Sequence, residues 1–402
     1  MSSNAPSSLI VRLPLLVGAL FLSSAVAAGD WSGNLGVESR IFFDSDANGD
    51  GANSNLSTYI EAEYYHAADD GINNFVFTPF VRYDENDDER SHADLREASW
   101  IAYADTFELR VGLNKVFWGV TESRHLVDII NQTDAVENSD GEDKLGQPMV
   151  NLTWLTDEAG TFDFFYMPYF RERTFAGPNG RPSLPLRVLI DDPVYESSDE
   201  DENNDLAIRW SHSFDIWDIG ISHFNGTSRD PRLVVGFDDG EAVLIPHYDQ
   251  IAQTGIDAQA TTEDWLWKVE AISVKTDNQD DYSAAVAGFE YTFVGIFDSD
   301  ADLGVIAEYL YDEREDSEPF QDDIMAGLRW VLNDEQSTEV LFGLIADQDG
   351  GGIAYNLEAA RRLGDSFKLD IEMRIISDAD DDPVLGGSAD DDFLQIELGY
   401  YF

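Results

Sequence analysis

The carboxyl end of the chain places the strongest constraint on its fold. Residues 391–402 read D-D-F-L-Q-I-E-L-G-Y-Y-F, so that apolar side chains alternate with polar or small ones. The apolar positions are Leu394, Ile396, Leu398, Tyr400 and Phe402. A period of two residues is the pattern of a β-strand with unlike faces. The segment is therefore predicted to be a strand with one strongly apolar face.

A closing strand that ends on an aromatic residue is typical of outer-membrane β-barrels, in which the last strand pairs with the first. The ending resembles the carboxy-terminal sorting signal of that class, with Phe402 as its final residue. The alternative is the buried final strand of a secreted β-sandwich. The pattern favours the barrel.

The amino end is predicted to be a cleaved signal peptide. Arg12 precedes the apolar run Leu13–Leu22, and Ala25-Val26-Ala27 supplies the small residues of a cleavage site, so residues 1–28 are assigned to the signal. The run is too short to cross a bilayer as a helix. Residues 29–402 are predicted to form one domain.

About eighteen segments of roughly ten residues read as strands, as in membrane barrels. Short links, such as 104–106 and 363–365, alternate with long links rich in Asp and Gly, such as 191–205 and 377–392. The fold of a β-sandwich does not require short and long links to alternate. The sequence predicts an all-β, transmembrane antiparallel β-barrel of about 16–18 strands, with long acidic outer loops and short periplasmic turns.

The charge excludes one class of partner. Eighty acidic and 24 basic residues give a formal charge of −56 at pH 7, which is incompatible with binding nucleic acid and attracts cations. A salty habitat, marine or halophilic, is the other explanation for such acidity. The absence of cysteine excludes a disulfide framework, a thiolate metal site and a lipoprotein anchor.

The scarce basic residues occupy polar strand faces, usually near an acid. Charges on a lipid-facing surface would cost about 2–4 kcal/mol each at mid-depth, so these faces are predicted to line the lumen. The predicted lining is Arg82, Glu108, Arg110, Arg209, Lys268, Glu270, Arg329, Arg362, Lys368, Asp370, Glu372 and Arg374. Such a lining fits either a wet selectivity surface or a salt-bridged packing layer.

Residues 114–147 interrupt the strand rhythm with an unusually apolar connection. We expect it to fold into the lumen and narrow it; the alternative is a large outer loop packed on itself. Its members predicted to face the passage or the lumen wall are Lys115, Trp118, Arg124, His125, Asp128, Asn131 and Asp134.

The same region carries a resemblance. Arg110-Val111-Gly112, then Trp118-Gly119, then the run from Asp128 to Asp134 resemble the R-x-G strand, W-G step and D-x-x-N-x-x-D run of poorly characterised porin-like proteins of proteobacterial outer membranes. The resemblance covers about 25 residues and the two chain ends. It implies a barrel of unknown substrate, with efflux or lipid-handling systems as partners in some relatives, and transfers no catalytic residue.

No enzyme is predicted, because the chain contains no G-x-S-x-G, phosphate loop or H-E-x-x-H pattern. No cofactor is expected beyond loosely bound Ca²⁺ or Mg²⁺ at the outer loops. Asp44, Asp46 and Asn48 match half of a calcium loop, but the twelfth position is Asn55 instead of Glu.

The sequence thus predicts a porin-like channel in the outer membrane of a Gram-negative bacterium. It would pass small solutes passively, with a bias for cations, and contact outer-membrane lipid. One alternative is a filled or gated barrel that serves a lipid-export or efflux system through a periplasmic or inner-membrane transporter. The other is a surface adhesin or receptor.

Overall fold

The computed structural model describes residues 29–45, 51–314, 318–348, 351–379, 382 and 385–402. The predicted signal peptide, residues 1–28, lies outside these described residues. The strands are β1 (Asp30–Phe42), β2 (Ser54–Ala67), β3 (Asn73–Asp84), β4 (Ala93–Tyr103), β5 (Phe107–Asn114), β6 (Gln147–Thr156), β7 (Gly160–Met167), β8 (Val194–Tyr195), β9 (Asp205–Phe214), β10 (Trp217–Thr227), β11 (Arg232–Asp238), β12 (Glu241–Tyr248), β13 (Gln250–Thr262), β14 (Trp265–Thr276), β15 (Tyr282–Phe293), β16 (Asp302–Asp312), β17 (Asp322–Val331), β18 (Glu339–Asp347), β19 (Ile353–Leu363), β20 (Phe367–Ser377) and β21 (Phe393–Tyr401).

Eighteen of these strands form one closed antiparallel barrel. Each pairs with its neighbours in chain order, and β1 pairs with both β2 and β21. At the closure Val37 lies opposite Leu398, and Ile41 lies opposite Leu394. The predicted fold class is confirmed, with the strand number at the top of the predicted range.

The two faces of the wall differ as the alternation requires. On β1, Leu35, Val37 and Ile41 are exposed on the outside, whereas Glu38 and Arg40 are buried inside. Aromatic side chains such as those of β14 and β15 cluster toward one rim of the outer surface. An apolar exterior with aromatic margins is the surface that a barrel presents to a lipid bilayer.

Connections at the two ends differ in length. At the end that holds the start of β1 they are 68–72, 104–106, 157–159, 215–216, 263–264, 294–301, 332–338 and 364–366. At the other end they include 115–146, 168–204 and 228–249, but also 277–281 and 348–352. The predicted alternation therefore describes most connections, not all. In the two-residue turn after β9, Asp215 has a φ of 55°, which acidic side chains tolerate better than bulky ones.

A second, three-stranded sheet lies beyond the barrel. It joins the β11–β12 hairpin, which turns at Asp239-Gly240, to β8. These residues were not among the predicted strands, although an Asp-Gly pair between alternating segments is a hairpin signal. No helix of the described residues is long and apolar enough to cross a bilayer.

Candidate functional site: the connection inside the barrel

Residues 115–146, termed the inner connection, lie inside the barrel, because their partners are inward-facing wall residues. Its apolar residues Trp118, Leu126, Val127, Ile129 and Ile130 are buried. They pack against inward residues of β6 to β17, namely Met149, Phe165, Met167, Ala207, Phe224, Ile251, Ile272, Val274, Ala284, Val286, Ile306, Leu310 and Met325. This arc of the lumen is therefore filled by an apolar core.

Glu270 on β14 holds the beginning of this connection. Its Oε1 accepts hydrogen bonds from the backbone N–H groups of Val120 (2.6 Å) and Thr121 (3.0 Å), and its Oε2 accepts one from Val127 N–H (3.1 Å). The Thr121 hydroxyl donates a fourth, at 2.9 Å. A carboxylate with no exposure to solvent is stable only with such donors.

Glu308 on β16 acts in the same way. It accepts hydrogen bonds from the backbone N–H groups of Glu122 and Ser123, both at 2.8 Å, and from the Ser123 hydroxyl at 2.6 Å. Arg124 beside them pairs with Asp312 at 3.1 Å. Two wall carboxylates on different strands therefore fix residues 120–124.

His125 connects the two ends of the inner connection. Its Nε2 lies 2.9 Å from Glu142, and its Nδ1 lies 3.8 Å from Oε1 of Glu270. Burial alone would lower the pKa of His125, but the hydrogen bond to Glu142 and the nearby Glu270 carboxylate raise it to about 10. The imidazole is therefore cationic at neutral pH.

The far end of the connection binds the opposite wall through a buried cluster of charges. Glu137 makes a two-pronged ion pair with Arg82 on β3, at 3.2 and 2.7 Å. The cluster comprises the bases Arg40, Arg82, Arg90 and Arg96 and the acids Glu38, Asp84, Asp134 and Glu137. Four positive and four negative groups neutralise one another, so this side is a packing layer, not a wet surface.

His92, Asp134 and Glu137 have ligand atoms within 4.8 Å of one another, a spacing compatible with a metal ion. Arg82 and Arg96 already pair with the two carboxylates, so guanidinium groups supply the positive charge that a metal ion would bring. We therefore assign no metal there. Of the weak calcium candidate, Asp44 is described, whereas Asp46 and Asn48 lie outside the described residues.

Other residues predicted for the constriction stabilise the inner connection itself. Asp128 Oδ1 accepts hydrogen bonds from Trp118 N–H (2.6 Å) and Gly119 N–H (3.2 Å). Asn131 donates to the carbonyls of Asn114 and Leu145, both at 2.8 Å. Trp118 also packs on Phe165, and Lys115 is exposed. Asp128 and Asn131 thus hold the backbone of the connection in its observed conformation.

Many of the predicted lining residues form ion pairs. The pairs are Arg110–Glu108 (2.5 Å), Arg209–Asp257 (2.6 Å), Lys268–Glu122 (3.4 Å), Arg329–Glu122 (2.6 Å), Lys368–Asp370 (2.6 Å) and Arg374–Glu372 (2.5 Å). Arg362 lies opposite Lys368 on the neighbouring strand. Because Glu122 pairs with two of these bases, part of the lining also anchors the inner connection.

A different electrostatic pattern occupies the arc from β19 to β1. Glu358 lies directly opposite Glu372, Asp370 opposite Glu397, and Glu397 opposite Glu38. Like charges directly opposite are unfavourable unless cations or water screen them. Glu358 is exposed, and so is Glu142 on the inner connection facing His125. Lys368 pairs with Asp370 and Arg374 with Glu372, whereas Glu358 and Glu397 form no ion pair with a Lys or Arg among the described residues. This arc is therefore the polar side of the lumen, with an excess of acids.

Residues 168–204 extend over the outer end of the barrel. Arg181 pairs with Asp391 at 2.6 Å, donates to the Asp390 carbonyl at 2.6 Å and lies over the Phe42 ring at 4.1 Å. Arg171 pairs with Asp94 at 2.9 Å. Sequence reasoning missed this cover, because its partners are far apart along the chain.

Among known proteins, no family model matches the chain, and no curated protein matches it. Solved structures do match: one described as "Asymmetric conductivity of engineered proteins", and substituted forms of the porin of Rhodopseudomonas blastica. Each is 12% identical with a TM-score of 0.45, over 93% of this chain and 100% of the other.

Proposed function

We propose that the protein is a porin-like channel of a Gram-negative outer membrane that passes small solutes passively, with a preference for cations. The observation that supports this proposal is the pair of carboxylates Glu358 and Glu397 on the polar arc of the lumen, which lie opposite Glu372 and Asp370. Arg374 and Lys368 neutralise Glu372 and Asp370, so Glu358 and Glu397 leave the arc with net negative charge. Their field attracts cations into the passage and repels anions. The inner connection, held by Glu270 and Glu308, sets the width of that passage.

The outer-membrane location is supported by the apolar exterior of the closed barrel. The resemblance to porin-like proteins of proteobacteria agrees with this proposal. The outer connections, rich in Asp and Glu, would face the cell exterior.

Conductance in planar bilayers tests the proposal. The purified protein should conduct, and a salt gradient should give a reversal potential of the sign expected for cations. Removing residues 120–138 should raise the conductance, because it removes the inner connection. This deletion also removes acids that pair with buried arginines, so it can destabilise the barrel. The variant Glu308→Gln only weakens the anchoring of the inner connection, and its conductance provides a second measure.

A filled barrel that serves an export system is the alternative, and the apolar core between the inner connection and β6 to β17 favours it. A folded protein that does not conduct in any of these forms would support this alternative and overturn the channel. If the protein conducts but prefers anions, the channel function stands and the proposed role of the carboxylate pairs is wrong.

A further inference from the structure

The turn between β15 and β16, residues 294–301, presents two large apolar side chains outside the protein. It is the longest turn at the barrel end that holds the start of β1. Val294 is 73% exposed and Phe297 is 93% exposed, the highest value for any large apolar side chain in the described part of the chain. A single exposed apolar residue is ordinary, so the backbone that presents Phe297 is the more informative feature.

That backbone is in a conformation that phenylalanine rarely adopts. Gly295, Phe297 and Asp298 have φ angles of 67°, 56° and 56°. The left-handed region is open to glycine and tolerated by aspartate, but it is unfavourable for a bulky side chain. The turn therefore holds Phe297 outward at a conformational cost.

Hydrogen bonds at its base hold the turn in this shape. The Gly295 N–H donates to the Asp302 carboxylate at 2.9 Å. Asn333, on the neighbouring turn, donates to the Asp300 carbonyl at 2.8 Å. Because the base is held from both sides, the exposure of Phe297 belongs to a defined turn.

The turn continues directly from the aromatic margin of the outer surface. Phe293, the last residue of β15, is 48% exposed, and its ring centroid lies 4.7 Å from that of Tyr291. Tyr291 in turn contacts Trp265, which stacks on Trp267 at 5.2 Å. Four residues of chain span at most about 14 Å, so Phe297 lies close to this margin. Aromatic side chains at such a margin contact the boundary between lipid headgroups and acyl chains.

We propose that Val294 and Phe297 insert into the lipid layer at this rim and anchor the barrel there. Lipid is the occupant because the two side chains extend an aromatic surface that already faces the bilayer. Asp298 and Asp300 beside them are exposed, which disfavours anionic headgroups and makes zwitterionic lipid the suitable probe. The anchor needs a bilayer around the barrel but does not depend on whether the lumen conducts.

A nitroxide label at position 297 tests the anchor. The chain contains no cysteine, so Phe297→Cys provides one labelling site. In phosphatidylcholine vesicles the label should collide often with oxygen, which concentrates in lipid, and rarely with a water-soluble nickel chelate. It should resemble a label at Ile256→Cys, on the lipid-facing surface of β13.

Phe237→Cys is the matched control, since it replaces the same residue type at 77% exposure on the sheet beyond the barrel. A label there should collide freely with the chelate. The proposal is overturned if the label at 297 is as accessible to the chelate as the label at 237, because Phe297 would then lie in water, free to meet a partner protein instead of lipid.

The variant Phe297→Asn gives a second readout with opposite expectations. Asparagine tolerates the left-handed region, so the substitution should raise the urea midpoint of unfolding if Phe297 contacts nothing. Loss of an inserted side chain should instead lower the midpoint in the same vesicles. A raised or unchanged midpoint would overturn the anchoring role.

Discussion

Glu137 and Arg82 are 55 positions apart in the chain and form a two-pronged ion pair inside the barrel, with nitrogen–oxygen distances of 3.2 and 2.7 Å. Glu137 belongs to the inner connection and Arg82 to the wall. Neither side chain is more than 6% exposed. This pair therefore joins the inner connection to the barrel wall through two charges that are shielded from solvent.

Breaking this pair on one side should be severe. Glu137→Gln leaves Arg82 buried without its main partner, which costs roughly 3–5 kcal/mol in comparable pairs. Urea unfolding in lipid vesicles, followed by tryptophan fluorescence, measures the loss. The exposed pair Arg187–Asp238 provides the control: Asp238→Asn should cost about 1 kcal/mol or less. Equal effects would mean that the buried cluster is not a special anchor.

Glu270 should contribute more to stability than a neighbouring wall carboxylate. It accepts four hydrogen bonds from the inner connection, and bonds to a charged group contribute about 1.5–3 kcal/mol each. Glu270→Gln should lower the free energy of unfolding and increase fluctuations of the conductance. Glu290→Gln removes a carboxylate that pairs only with Arg329 among the described contacts, and should have a much smaller effect.

His125 should make stability depend on pH. Its pKa is about 10 in the folded protein and 6.5 in the unfolded chain, so the folded state binds the proton more tightly. The resulting stabilisation is fully present below pH 6.5 and is lost as the pH rises to about 10. The difference in unfolding free energy between the unaltered protein and His125→Gln should therefore be largest near pH 6 and should disappear by about pH 10. A difference that grows with pH would contradict the assignment.

The carboxylate pairs should determine selectivity. Removing Glu358 and Glu397 together, as Gln, leaves each opposing pair with one charge and should move the reversal potential toward zero. Glu241→Gln removes one negative charge from the outer sheet, outside the barrel, and should leave the reversal potential nearly unchanged. If both variants shift it equally, the overall acidity of the protein determines selectivity and the lumen pairs do not.

The eighteen strands were predictable because an exterior in lipid and an interior in water impose a period of two. That rule assumes a wet interior, and it fails where the inner connection covers the wall. Ile272, Val274 and Ile306 face inward and are apolar, which the polar-lumen rule does not anticipate. The partners of Arg181 and of Glu270 lie 210 and about 150 positions away, and spacing along the chain contains no record of such contacts.

The inner connection follows the fifth strand, yet Glu270, Glu308 and Arg374, which hold it, belong to strands formed by the last third of the chain. Its apolar residues consequently have no complete surface to cover them while the earlier strands alone are present. Assembly of the wall and filling of its interior are therefore one cooperative event. A barrel that closed before the inner connection entered its lumen would have to open again to let that connection in.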